Sequence, residues 1–311
     1  MLGGTAKELL EKQHYRVVGS HSAVKICHWT KQSLTTGRVC YKQLWYKGVE
    51  SHRCLQMTSF VGCNYSCVFC WRTHSGERTG ITWDELLLSA TDVDDPGFIL
   101  QTAISERAEL LSGYWGNPHV DKSKLREALD PKMMTLSLTG ESTLYPRVSE
   151  LLELARRREM TSFLVTNGST PDVLRSLDPL PSQLYVSTPG ADRQTYVQLA
   201  CPKVPAAWDL FNKTIEVLPS LETTRVLRLT MIRERNMSNI DSYADLVRRG
   251  EPDFVEVKAY EWVGESQRRL PKSCMPRMAE IADFAARLSD ACGYRIAGEF
   301  EPSGVVLLSA K

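Results

Sequence analysis

"LQMTSFVGCNYSCVFCWR", residues 55–72, sets a short apolar and aromatic run directly before three cysteines, Cys63, Cys67 and Cys70. Residues 55–61 read as a strand that Gly62 brings to an end. The cysteines follow at C-x3-C-x2-C spacing, with the aromatic Phe69 just before the last. Three thiols are an odd number for disulfides and one short of a closed ferredoxin-type site. A zinc site usually pairs its ligands as C-x2-C twice, and here it would need His74 to complete it. Three thiolates around a 4Fe–4S cluster would leave one iron open to an outside ligand.

Working outward, the same kind of run recurs at 135–140 (TLSLTG), 161–168 (TSFLVTNG), 183–190 (QLYVSTPG), 225–232 (RVLRLTMI) and 253–260 (DFVEVKAY). Helical patterns lie between them: "TWDELLLSA", opened by a capping box from Thr82 to Glu85, then 98–115, 148–159, 170–177, 207–218 and 241–249. Strand–helix alternation predicts an α/β fold with a parallel sheet, and six units suggest an incompletely closed barrel. In such folds the chemistry sits at the C-terminal ends of the strands. A last helix (276–293) and apparent strands in 294–309 follow. The expected organisation is an N-terminal extension (1–56), a barrel (57–265) and a C-terminal extension (266–311).

The chain has 311 residues, with 38 basic and 37 acidic side chains, so net charge excludes no partner class. The charge is unevenly placed: residues 1–80 hold eleven Lys or Arg against four Asp or Glu, a surplus that could attract phosphates. No apolar run approaches the roughly 18 residues of a membrane span. The N-terminus does not resemble a secretion signal, so a cytoplasmic setting is expected, with an organelle such as the mitochondrion as the other option. Nine cysteines in such a setting point to metal or redox chemistry rather than a disulfide framework.

The cysteine loop after a first strand resembles the radical S-adenosylmethionine family, whose signature is C-x3-C-x-aromatic-C on a partial (βα)6 TIM-like barrel. The resemblance implies that the open iron binds the amino and carboxylate groups of S-adenosylmethionine, so the missing ligand is the cofactor. It also places Phe69 in the cofactor site and gives Gly140 and Glu141 of "LTGEST" (138–143) the methionine ammonium. A carboxylate facing a cationic amine makes a charge-assisted hydrogen bond. Thr166, Asn167 and Ser187, at the next two strand ends, are candidates for the ribose or carboxylate of the cofactor. Asn167-Gly168 also reads as an ordinary turn pair.

Cys27, Cys40 and Cys54 form a second trio, with gaps that by themselves are no motif. Together with "GSHSAVKICHWTK", "CYKQLWY", "ESHRCLQMT", "SLTGESTLYP", "RLTMIRERNM" and "EVKAYEWVGESQRRL", they are similar to the 4-demethylwyosine synthases, over roughly residues 15–309. That resemblance implies an auxiliary 4Fe–4S cluster on the second trio, for two clusters in all. It implies a lyase that condenses two carbons of pyruvate with N1-methylguanosine, 3′ of the anticodon of tRNA-Phe. Another radical S-adenosylmethionine enzyme, RNA-modifying or activating, is the alternative. Pyruvate would sit on the open iron of the auxiliary cluster or form a Schiff base with a lysine; Lys42, beside Cys40, and Lys258, at a strand end, are the candidates. The sequence departs from the family's usual Gly-Glu-Pro-Thr at Ser142. The electron would come from a separate donor, such as a flavodoxin or reductase, and a monomer is expected.

An anticodon-loop base calls for stacking and phosphate contacts. Lys25, Lys31, Arg38, Lys42, Lys47 and Arg53 interleave with Trp29, Tyr41, Trp45 and Tyr46, and "SQRRLPKS" (266–273) is a second basic patch. "RRR" (156–158) reads as part of an outer helix. His28 and His52 are possible fourth ligands beside the second trio, and Cys201, Cys274 and Cys292 read as structural thiols.

Overall fold

A computed structural model of the chain describes residues 2, 4–77 and 93–310. The helix expected at "TWDELLLSA" lies outside the described residues. By its internal contacts the chain divides into two units.

The first unit (1–63, 74–165 and 177–182) starts with α1 (Gly4–Lys12) and a hairpin, β1 (Arg16–Val18) and β2 (Ser22–Val24). Two short helices follow, α2 (His28–Thr35) and α3 (Tyr41–Trp45), and then β3 (Cys54–Thr58). The remaining elements are α4 (Pro96–Ser112), α5 (Lys122–Ala128), β4 (Met133–Leu136), α6 (Val148–Arg157) and β5 (Thr161–Thr166). β3, β4 and β5 run parallel, with Cys54 opposite Met133 and Met133 opposite Thr161. The hairpin extends this sheet on β3 with antiparallel pairing. All four residues of β4 are buried, as a parallel strand covered on both faces requires.

Local chemistry sets the helix ends. Asp95 caps α4, its Oδ1 accepting from the amides of Gly97 (2.8 Å) and Phe98 (3.2 Å), and Pro96 occupies the first helical position. In α6 the buried positions Val148, Leu151, Leu152 and Ala155 fall on one face at helical spacing. The opposite face carries Glu153, which pairs with Arg156 (2.6 Å) and Arg157 (2.7 Å). The "RRR" run therefore does lie on an exposed helical face.

The second unit (64–73, 166–176 and 183–311) contains α7 (Pro171–Ser176), β6 (Gln183–Thr188), α8 (Arg193–Ala200), α9 (Ala207–Val217) and β7 (Thr224–Met231). It continues with α10 (Ile240–Gly250), β8 (Phe254–Ala259), α11 (Ser266–Arg269), α12 (Met278–Cys292), β9 (Arg295–Phe300) and β10 (Val305–Ser309). β6, β7 and β8 are parallel. The C-terminal hairpin adds β10 to β8, and β9 to β10, both antiparallel, with a bulge between Leu307 and Leu308. Among the described residues, six parallel strands, three in each unit, carry the α/β architecture expected from the sequence. Among the described residues no helix is long and apolar enough to cross a membrane.

Residues 1–56 hold more regular structure than their sequence pattern suggests. α2 and α3 are eight and five residues long, and the hairpin strands three each. Elements that short carry too few periodic positions to stand out.

Candidate active site and cluster ligands

In the first unit, the end of β3 and the loop after β4 are joined through backbone. The Glu141 amide donates to the Gly62 carbonyl at 2.8 Å, just before Cys63. Gly140 sits at φ +74°, and a Cβ there would fall 2.6 Å from the Gly62 carbonyl oxygen and closer still to that of Phe60. Only glycine takes this conformation in this space. Gly140→Ala is expected to cost at least about 2 kcal/mol of stability, from left-handed strain plus the clash with rigid backbone. Thermal unfolding checks it, and an unchanged midpoint would refute it.

Glu141 is 2% exposed, and its Oε1 accepts from the Thr143 amide (3.2 Å) and hydroxyl (2.7 Å). Ser142 opens a single 3-10 turn, Ser142–Leu144, capped by Glu141. The first position of a helical turn suits proline but does not need it. Serine in place of the family's usual proline therefore leaves the carboxylate held in place.

The second trio gathers in the same unit. Cys27 and Cys40 stand at the N-caps of α2 and α3, and Cys54 opens β3. Burial pushes the Cys27 thiol up to about 12, the neighbouring Cys54 and Cys40 add to the rise, and the amides of Trp29 and Thr30 oppose it. One serine laces the three segments together: Ser51 Oγ accepts from the Cys40 amide (2.8 Å) and donates to Gln43 Oε1 (2.8 Å). The Ser51 carbonyl accepts from Thr30 Oγ1 (2.8 Å). Cys54 Sγ lies 3.3 Å from Thr135 Oγ1. Arg107, 1% exposed on α4, donates through Nε to the Cys54 carbonyl (3.0 Å) and through Nη2 to that of His52 (2.6 Å). A buried Cys27 thiol that feels both Cys40 and Cys54 fits a cluster held by these three residues, because metal binding removes the thiol protons.

His52 faces Glu127, with Nε2 2.7 Å from Oε2, and His28 is exposed. Lys42 Nζ lies 4.1 Å from the centroid of the Phe163 ring on β5.

In the second unit, residues 64–73 form the rest of the first cysteine loop. The amides of Ser66 and Val68 donate to the carbonyls of Cys201 (3.1 Å) and Leu199 (2.9 Å), and that of Cys70 to Cys67 (3.0 Å). Arg269 grips the loop from α11: Nη1 donates to the Cys70 carbonyl and Nη2 to that of Arg72, both at 2.6 Å. The buried Arg72 donates to the Tyr65 carbonyl at 3.1 Å. Asn167 Nδ2 donates to Asn64 Oδ1 (2.9 Å), while its Oδ1 accepts from the Ser169 amide (2.9 Å). Asn167 thus combines turn chemistry with support of the cysteine loop. Thr166 is buried, its Oγ1 accepting from the Gly168 amide (3.1 Å), and Ser187 is half-exposed near the end of β6.

Phe69 packs on a core of Leu199, Ile232, Tyr260, Leu270 and Cys274 and also lines a pocket of about 180 Å³. That pocket lies at the C-terminal ends of β7 and β8, with Trp71, Thr230, Lys258, Ala259 and Val263 among its walls. Lys258 Nζ is held by Glu261 Oε1 (2.6 Å) and the Ser303 carbonyl (2.7 Å).

Several expected RNA contacts are otherwise engaged. Tyr41 and Tyr46 are buried, so they offer no stacking face. Arg53 pairs with Asp130 (2.9 Å) and Glu50 (3.4 Å), and Arg38 donates to Gln32 (2.8 Å). Arg269 is committed to the cysteine loop, whereas the side chain of Arg268 is 68% exposed. Exposed aromatic faces occur instead at Trp71, Phe98 and Trp115. Sequence reading missed Ser51, Gln43, Arg107 and Arg72, and misassigned Arg269. Their partners are mostly backbone carbonyls, which leave no motif.

Comparison with known proteins shows the family. A family profile described as wyosine base formation matches residues 249–310. An S-adenosyl-L-methionine-dependent tRNA 4-demethylwyosine synthase of Pyrococcus abyssi is 44% identical over 308 residues, 96% of this chain and 87% of that protein. The chain belongs to the tRNA 4-demethylwyosine synthase family. It is thus a radical S-adenosylmethionine enzyme of the kind its motifs resemble. The mouse synthase is 35% identical over 313 residues, all of this chain but 42% of that protein. Among solved structures, TYW1 with a lysine-pyruvate adduct bound matches at TM-score 0.87 and 30% identity, over 99% of this chain and 96% of that one. A radical SAM methyltransferase from Sphaerobacter thermophilus (TM-score 0.51, 14% identity, 94% of this chain and 80% of that one) shares the fold.

Proposed function

We propose that this member of the tRNA 4-demethylwyosine synthase family condenses pyruvate with N1-methylguanosine, 3′ of the anticodon of tRNA-Phe, using two 4Fe–4S clusters. The observation that carries the reading is that Cys40 and Cys54 both act on the buried Cys27, with Lys42 two residues after Cys40. Cys63, Cys67 and Cys70 would hold the other cluster. Reduced by one electron and loaded with S-adenosylmethionine, that cluster supplies a 5′-deoxyadenosyl radical.

The chain's own residues prepare this chemistry. Glu141, fixed by Thr143, would take the methionine ammonium, and Gly140 lets the loop approach closely enough to do so. Phe69 and the pocket it lines would hold the adenine, with Thr166, Asn167 and Ser187 toward the ribose and carboxylate. Lys42 would capture pyruvate as an imine, its amine attacking the C2 ketone with loss of water. The known lysine-pyruvate adduct in a structural relative supports a lysine here, and Lys42 stands two residues after the cluster ligand Cys40. Residues 1–56 thus serve as the cluster-bearing extension, and residues 266–311 support the first cysteine loop through Arg269. A separate cytoplasmic one-electron donor and a monomeric enzyme complete the reading.

The test is anaerobic incubation with S-adenosylmethionine, dithionite, pyruvate and methylated tRNA, followed by nucleoside mass spectrometry. The tricyclic nucleoside is expected. Cleavage of S-adenosylmethionine with the methylguanosine left intact would reject the proposal.

For RNA contact, Arg268→Glu should weaken tRNA binding and lower its salt dependence by about one phosphate contact. Arg269→Glu should instead lower iron content, because it removes the clamp on the Cys70 and Arg72 carbonyls. Equal tRNA affinity for Arg268→Glu and wild type at low salt would dismiss this patch.

A further inference from the structure

Arg107 is the deepest charge in the first unit, and its surroundings are unusual. A buried guanidinium is costly unless a negative charge compensates it. Yet its hydrogen-bond partners among the described residues are all backbone carbonyls, those of Cys54, His52 and Ala128. Among the described residues no Asp or Glu forms an ion pair with it. Burial lowers its pKa to about 10, and the charges that oppose this are the Cys54 and Cys27 thiols. Backbone carbonyls carry only partial charge, so among the described residues the guanidinium has no full counter-charge. Three thiolates on a cluster would supply one.

We propose that Arg107 is a positioning residue that sets the reduction potential of the auxiliary cluster, acting as its fixed counter-cation. The proposal rests on the reading that Cys27, Cys40 and Cys54 hold that cluster. Two features fit the role. The guanidinium anchors the carbonyl of a ligand residue, Cys54, so its distance from the cluster is fixed. It is also shielded from water, so its field is weakly screened. A cation so placed favours the more negative, reduced state and raises the potential; net charge and hydrogen bonding are the protein's levers on such clusters.

The experiment uses the full chain with Cys63, Cys67 and Cys70 changed to alanine, so that the auxiliary cluster is observed alone by redox titration with EPR detection. If this background binds no iron while the parent chain binds about four per chain, the auxiliary-cluster reading itself fails, and the proposal with it. If it binds iron, Arg107→Met should reduce the reduced-to-oxidised ratio at a fixed potential about tenfold, a shift of about 59 mV to more negative values for one electron. Arg107→Lys, which keeps the charge, should stay close to the parent value. An unchanged potential in Arg107→Met overturns the proposal and leaves the cluster reading intact. Where Arg107→Met fails to retain the cluster, melting of both apo and reconstituted forms decides. Loss of the stabilisation gained on reconstitution, with the apo midpoint unmoved, supports the counter-cation role. A fall of the apo midpoint as well makes Arg107 a scaffold residue and overturns it.

Discussion

A chain carrying alanine at Cys27, Cys40 and Cys54 is expected to lose formation of the tricyclic nucleoside altogether while still cleaving S-adenosylmethionine. The separation follows from where the side chains stand. All three cysteines belong to the first unit's N-terminal segments, at two helix caps and the start of β3. The loop that carries Cys67 and Cys70 is held instead by Leu199, Cys201 and Arg269. Iron should fall from about eight to about four per chain. Reductive cleavage of S-adenosylmethionine, measured as 5′-deoxyadenosine, should persist. Folding should survive, because removing three half-buried thiols leaves only small cavities. A variant that still makes the nucleoside at the parent rate would remove the auxiliary cluster from the account.

The second large effect is expected at Lys42. Lys42→Arg should slow nucleoside formation at least about a thousandfold, about 4 kcal/mol of barrier. Arginine keeps the charge and much of the stem, so its contact with the Phe163 ring can persist. It cannot act as an amine nucleophile, because the guanidinium stays protonated. Borohydride trapping of labelled pyruvate should mark the parent chain and Lys258→Arg, and leave Lys42→Arg unlabelled. Label on Lys42→Arg but not on Lys258→Arg would move the role to the second lysine. Label on neither variant's parent would leave pyruvate to the cluster alone.

Much of this architecture was legible in the sequence, for a physical reason. A strand buried on both faces, such as "QLYVST", reads as a short apolar run, although β4 lies at 133–136, ahead of the run expected at 135–140. The helices between strands keep one apolar face, as α6 does with Val148, Leu151, Leu152 and Ala155. The three-cysteine loop and "LTGEST" were equally plain, because ligand chemistry restricts residue type and spacing together. What escaped was the support. Arg269 acts on loop carbonyls far away in sequence, Ser51 ties three segments through main-chain groups, and Arg107 binds carbonyls of two separate segments. Carbonyls are the same on every residue, so such contacts leave no pattern to find. Tyr41 and Tyr46 misled in the opposite sense: aromatics among basic residues suggest RNA stacking, yet both serve the core.

The grip of Arg269 on the Cys70 carbonyl spans 199 residues. A ribosome therefore exposes the three cysteines long before the side chain that shapes their turn has been synthesised. Until then that turn lacks the clamp, so its final shape is reached only after α11 has emerged.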